Sequence, residues 1–235
     1  MTETVHTAIT ARLAELGIPN RIDTDSYSSI VALFEEALAA YRAEAACSSV
    51  GHTLSYAELD RLSAQFAGWL QHGAGLDPGD RVAIQMPNLI QYLVVCLGAL
   101  RAGMVVVNTN PLYTERELEH QLTDAGVRVM VVQANVAQTA AAVLPRTGVE
   151  RVVVTEIADL HPQPKRSLIN FLVKYVKKMV LPFHIPGALK LNEVLKAGAA
   201  TPFRAVNLAP SDLAMLQYTG GTTGVAKGAM LTHGN

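Results

Sequence analysis

An α/β fold, with a mostly parallel sheet covered by helices on both faces, is predicted by three features of the sequence. Strand-length apolar runs recur at residues 81–86, 104–107, 128–132 and 151–155. Helix-length segments separate them, as crossover connections between parallel strands require. The runs are apolar on both faces rather than alternating, the pattern of strands buried from two sides. With 235 residues and a 50% hydrophobic composition, the chain can bury a large core.

In chain order, residues 1–27 read as a polar lead-in with little hydrophobic pattern. From Ser29 onward, Ile30, Leu33, Phe34, Ala37, Leu38 and Tyr41 recur at helical spacing and predict an amphipathic helix. Thr53 and Leu54 suggest a short strand. Ser55 and Glu58 then form a capping box, which opens a helix to about Gln71 with Leu59, Leu62, Phe66, Trp69 and Leu70 inward. Asp77, Pro78, Gly79 and Asp80 make a turn before the strand at 81–86. Pro87 and Asn88 open a helix to about Leu100, and Gly103 ends the connection. Thr114 and Glu117 form a second capping box for a helix to about Asp124. A helix over 134–144 fits between the last two strands of the alternation. Residues 213–217 and 229–232 predict two more strands, one on each side of a glycine-rich stretch. The helices read as core and packing, with nothing in them that suggests chemistry.

The formal net charge of −1 argues against nucleic acid as a general partner. The two cysteines, Cys47 and Cys96, make neither a disulfide framework nor a CxxC pair, so a reducing, cytoplasmic setting is expected. The N-terminus is polar and acidic where a signal peptide would be basic and then apolar. No apolar run approaches the roughly 18 residues of a membrane-spanning helix. The seven histidines (6, 52, 72, 120, 161, 184 and 233) are scattered without metal-ligand spacing, and no Ser–His–Asp arrangement is marked. His233 is given no catalytic role.

The chemistry concentrates in residues 218–228: Tyr218, Thr219, Gly220, Gly221, Thr222, Thr223, Gly224, Val225, Ala226, Lys227 and Gly228. A glycine-rich turn between strands exposes backbone N–H groups that no side chain shields. Such a nest suits a polyphosphate, with threonine hydroxyls and an ammonium adding charge-assisted contacts. Each hydrogen bond to a charged group contributes about 1.5–3 kcal/mol, so a few would hold a nucleotide tail. The Walker A pattern fails, because Lys227 follows Ala226 and precedes Gly228, and no helical run comes after it. A glycine-rich hairpin loop without a ligand is the plain alternative; Thr222, Thr223 and Lys227 speak for the phosphate reading.

This stretch resembles the phosphate-binding signature of the adenylate-forming superfamily, whose usual form is Tyr-Thr-Ser-Gly-Thr-Thr-Gly-x-Pro-Lys-Gly. The chain departs from it at Gly220 and Ala226. Those departures, with Met230, Leu231, Thr232 and His233 after them, look like the bacterial long-chain fatty-acid–CoA ligases. Losing the signature's serine puts more of the phosphate contact on Thr219, Thr222 and Thr223. Residues 78–83, 86–88, 101–103 and 110–120 also match phrases of that family, so the resemblance spans roughly 28–235. Residues 110–113 read first as turn chemistry and second as substrate wall.

The resemblance implies the N-terminal portion of the large domain of an adenylate-forming enzyme over residues 28–235, with a basic insertion at about 163–186. It implies ATP-dependent activation of a long-chain fatty acid to an acyl-adenylate, then transfer to coenzyme A, with magnesium accompanying the triphosphate. Tyr218, Thr219, Gly220, Gly221, Thr222, Thr223, Gly224 and Gly228 would bind the nucleotide. Lys227 is the catalytic candidate, as a charge clamp or loop anchor; no magnesium ligand is identifiable. The family's acidic Thr-Glu segment, ribose-binding aspartate, hinge and late lysine would all lie beyond Asn235, so the chain alone is expected to be inactive. Two other readings stay open: an adenylating ligase for another carboxylic acid, and a non-catalytic nucleotide-binding or membrane-docking module.

Between Asp159 and Glu193 there is no acidic residue, but Lys165, Arg166, Lys174, Lys177, Lys178 and Lys190 are present. On a helix running from Leu168 to Val180, Asn170 and the three central lysines fall within about 100° of arc and apolar residues fill the rest. This fits a helix lying in an anionic membrane surface, peripheral on the inner face of the cytoplasmic membrane. The alternative is an insertion whose apolar face packs on the domain. Pro182 and Pro186 are expected to end the helix.

Overall fold

The computed structural model describes residues 2–19, 26–219 and 226–235. The polar lead-in contains a helix, α1 (Thr2–Glu15), that periodicity alone does not predict. Helix α2 (Ile30–Ala40) begins where Ser29 Oγ accepts the Ala32 N–H at 3.1 Å. A hairpin of β1 (Ala45–Ser49) and β2 (His52–Ser55) follows, turning at Val50 and Gly51 with φ of 52° and 71°, the pair of positive values such a tight turn needs. Strand β1 has no alternating pattern to reveal it.

The predicted capping box at Ser55 starts α3 (Tyr56–Gly68): Glu58 N–H donates to Ser55 Oγ at 3.2 Å and Ser55 N–H to Glu58 Oε2 at 2.9 Å. The expected alternation then appears as β3 (Arg81–Gln85), α4 (Ile90–Arg101), β4 (Val105–Thr109), α5 (Glu115–Asp124), β5 (Val127–Gln133), α6 (Ala137–Val143) and β6 (Arg151–Thr155). The chain continues through α7 (Lys165–Phe171), β7 (Leu189–Lys190), α8 (Leu191–Ala199), β8 (Leu213–Thr219) and β9 (Lys227–Thr232).

Seven strands form one sheet in the order β7-β6-β5-β3-β4-β8-β9, parallel except for the antiparallel β8–β9 pair. Alternate side chains of the central strands serve opposite layers. Val82, Ile84, Val129 and Val131 pack with Phe66, Leu70, Val94 and Leu195, from α3, the turn after it, α4 and α8. Ala83, Met130 and Val132 pack with Leu118, Leu122, Ala137 and Ala140 of α5 and α6. That two-sided burial is why these strands are apolar throughout; each large side chain so buried contributes about 1.5–3 kcal/mol. On the first layer, α3 and α8 approach so closely that a Cβ on Gly198 would sit 1.8 Å from the Gln65 carbonyl oxygen.

Arg101, at the end of α4, is 6% exposed and binds the first layer together. Its guanidinium donates to Asp60 Oδ1 at 2.9 Å, to the Asp60 carbonyl at 2.8 Å and to Glu35 Oε2 at 3.3 Å, and it lies over the Phe203 ring.

The basic helix is shorter than the span Leu168 to Val180. After Phe171 the turn widens over Leu172–Val176, and Lys177 N–H reaches back to Leu172 O at 2.8 Å. Lys178 then takes a positive φ of 52°. The backbone therefore leaves the helix before Met179, and neither Pro182 nor Pro186 is what stops it.

Candidate functional site

The sheet leaves a crevice at the carboxyl ends of β3, β4 and β8. The chain leaves β3 for α4 on one face and β4 for α5 on the other, so adjacent strands diverge there, as at ligand sites of open parallel sheets. The resulting cleft has a volume of about 1040 Å³. A polar ladder crosses its floor: Tyr92 Oη donates to Asn108 Oδ1 at 2.7 Å, and Asn108 Nδ2 donates to Gln217 Oε1 at 2.9 Å. Gln121 Nε2 adds a bond to the Asn108 carbonyl at 2.9 Å, tying α5 to β4. Burial, with Cys96 nearby, raises the Tyr92 hydroxyl pKa, so Tyr92 stays a neutral donor.

Asn110 to Tyr113 form the cleft's rim. Asn110 Oδ1 accepts the Leu112 N–H at 2.9 Å, the local turn chemistry expected of that side chain. The second capping box follows, with Thr114 N–H donating to Glu117 Oε2 at 2.8 Å. Asn110, Pro111 and Tyr113 also line the cleft, so turn and wall are the same residues.

Tyr218 and Ala226, which flank the centre of the glycine-rich stretch, line this cleft at the end of the β8–β9 ribbon. Gly220, Gly221, Thr222, Thr223 and Gly224, predicted to cradle phosphate, lie outside the described residues. The four other predicted residues are brought together as two facing pairs, Tyr218 opposite Gly228 and Thr219 opposite Lys227. Thr219 and Lys227 are exposed, while Tyr218 is buried and lines the cleft.

The two stems of the stretch are each tied to α5. Tyr218 Oη donates to Asp124 Oδ2 at 2.5 Å, and burial together with that carboxylate raises the tyrosine pKa. His120 Nε2 lies 3.1 Å from the Ala226 carbonyl oxygen. Gly228 leaves room for the tyrosine, since a Cβ there would come within 2.9 Å of the ring. The Tyr218 hydroxyl is thus engaged by protein, and a side chain at 228 would make the ring shift.

Sequence reasoning did not single out Tyr92, Asn108, His120 or Gln217. His120 closes the matching phrase at 110–120, but linear order does not reveal that it meets a residue 106 positions later. His233 is buried; burial lowers its pKa, with Asp212 acting in the opposite direction. Among the described residues, no group of three His, Cys, Asp or Glu side chains is placed to hold a metal ion.

A family profile described as AMP-binding enzyme matches residues 34–235. A long-chain-fatty-acid–CoA ligase of Escherichia coli O157:H7 is 48% identical over 218 residues, 93% of this chain and 39% of that protein. A ligase of the same name from Bacillus subtilis (strain 168) is 34% identical over 223 residues, 94% of this chain and 38% of its own length. The chain therefore spans about two-fifths of the length of these relatives. Among solved structures, a long-chain-fatty-acid-CoA ligase from Archaeoglobus fulgidus aligns at a TM-score of 0.66 with 27% identity, covering 88% of this chain and 37% of that one. An anthranilate CoA ligase in complex with anthranoyl-AMP aligns at 0.73 with 19% identity, covering 91% and 37%, and speaks for the fold alone.

Proposed function

The chain belongs to the AMP-binding enzyme family, and on that premise we propose that the whole protein is a long-chain fatty-acid–CoA ligase. Its reaction would join a fatty acid carboxylate to the α-phosphorus of ATP, releasing pyrophosphate. The coenzyme A thiol would then attack the acyl carbon and release AMP. The observation that carries this reading is that Tyr218 and Ala226, which flank the glycine-rich stretch, line the cleft where β3 and β4 diverge, with Thr219 and Lys227 paired beside them.

In this reading the N–H groups and hydroxyls of residues 219–224 bind the β- and γ-phosphates. Lys227 balances charge on the departing pyrophosphate, where fixed donors gain most as charge develops. Magnesium would arrive on the triphosphate oxygens and keep several waters, a mode that needs few protein ligands.

Fatty-acid-dependent exchange of pyrophosphate into ATP by the whole protein tests the proposal. Exchange with a long-chain acid is the expected result. Exchange with aryl or short acids only would favour a ligase for another carboxylate, and no exchange from folded protein would favour a non-catalytic binding module. Residues 1–235 alone are expected to give none above background.

A second reading concerns the basic helix. Phe171, Tyr175 and Val176 are 54%, 60% and 61% exposed, so the apolar side is not packed on the domain. Asn170 ties the helix to the domain, donating to Asp159 Oδ1 at 3.1 Å and accepting the Ala158 N–H at 2.9 Å. An apolar strip beside Lys174, Lys177 and Lys178 supports docking on an anionic lipid surface. Co-sedimentation should be strong with phosphatidylglycerol-containing vesicles and weak for the Lys174/Lys177/Lys178→Glu variant; equal binding by both proteins would sink this reading. No helix among the described residues is long and apolar enough to cross a membrane.

A further inference from the structure

Helix α5 touches the glycine-rich stretch at both of its ends. Asp124 receives the Tyr218 hydroxyl from the stem that enters the loop, and His120 meets the Ala226 carbonyl on the stem that leaves it. The two α5 residues are four apart, one turn on the same face of the helix. The helix itself is fixed at several points. Leu118 and Leu122 are fully buried, Gln121 bonds to the β4 backbone, and the capping box secures its first turn. A carbonyl oxygen can only accept, so His120 must carry its proton on Nε2 to make this bond.

We propose that α5 is the strut that holds the two stems, Tyr218 and Ala226, in the cleft wall for ATP, with His120 and Asp124 as positioning residues that act through Ala226 and Tyr218. The proposal rests on the phosphate-binding reading of the loop and deepens it. Neither side chain need touch the nucleotide. Each ties one stem to α5, which Gln121 in turn ties to the β4 backbone. A cleft wall fixed before binding leaves less freedom to be lost when a ligand arrives, and on the phosphate reading the benefit goes to ATP rather than to the acid.

The test is steady-state kinetics on the whole protein with His120→Ala, His120→Gln, Tyr218→Phe and Lys227→Ala, each with a melting temperature. His120→Ala and Tyr218→Phe should each raise KM for ATP about three- to ten-fold, the range of one lost hydrogen bond. KM for the fatty acid and kcat should change much less. Glutamine can place an amide N–H close to the position of histidine Nε2, so His120→Gln should recover most of the loss. Unchanged KM for ATP in either disrupting variant, or no rescue by glutamine, would overturn the strut. So would parallel loss for both substrates with a lowered melting temperature, which would mark a merely structural role. Lys227→Ala separates the two levels. ATP use weakened by that change while His120→Ala is silent removes the strut alone; silence in both removes the loop reading and the strut with it.

Discussion

Val129, Met130, Val131 and Val132 of β5 expose essentially none of their surface, whereas on β9 Met230 exposes 71% and Leu231 38%. The centre of the sheet is held by many small apolar contacts, none of which is individually decisive. The β8–β9 edge is held by a few polar ties to neighbours: Asn108 to Gln217, Asp124 to Tyr218, His120 to Ala226. The difference separates two kinds of sensitivity. Substitution at the centre should act on stability, and substitution at the edge on ligand use.

The sharpest way to break that division is a charge at the centre. Val131→Asp should prevent folding, since an unpaired buried carboxylate exceeds the roughly 5–15 kcal/mol that holds a domain together or forces a costly protonation. A normal circular dichroism melt from that variant would contradict the burial described. Arg101→Ala is next. It removes a buried cation whose partners reach solvent, Asp60 being 28% and Glu35 45% exposed at their side chains. A loss of about 2–3 kcal/mol by urea titration is expected, below the range for a fully enclosed pair.

Thr114→Ala should cost about 1 kcal/mol as a lost helix cap, measured by the same titration. The capping also has a pH signature. Hydrogen bonds from Ser55 and Thr114 lower the pKa values of Glu58 and Glu117 in the folded protein. A lowered folded pKa stabilises above the unfolded value of about 4.3 and loses that contribution as pH falls through the folded one. Acid unfolding below about pH 4.3 should therefore be shallower in Thr114→Ala than in the parent protein. Lys227→Ala has the smallest expected effect on stability, within about 0.5 kcal/mol for an exposed side chain, yet it should weaken ATP-dependent adenylation clearly. An equal loss of stability and ATP use at Lys227 would erase the contrast between centre and edge.

The same contrast explains what was legible in the sequence. Strands at 81–86, 104–107, 128–132 and 151–155 were readable because burial on both faces removes polar residues from them. Both capping boxes were readable because their two members sit three apart. The end of the basic helix was not, since a widened turn at Leu172–Val176 and the positive φ of Lys178 leave no compositional mark. Strand β1, written Ala-Ala-Cys-Ser-Ser, and the helix in the polar lead-in were hidden for lack of pattern. In the site, the glycine, threonine and lysine spacing pointed to the loop. The clamp from α5 depends on pairs 94 and 106 residues apart, which only the folded chain brings together.

Gly228 carries a consequence for how positions in this stretch can vary. Its missing side chain is occupied by the Tyr218 ring, which would lie 2.9 Å from an added Cβ. The two positions are therefore a coupled pair, whatever either contributes to phosphate binding. Across relatives, a side chain at 228 should occur mainly where 218 has given up its ring or moved it, whatever the nucleotide requires. Covariation between those two columns would record a packing constraint inside a stretch otherwise read as ligand contact.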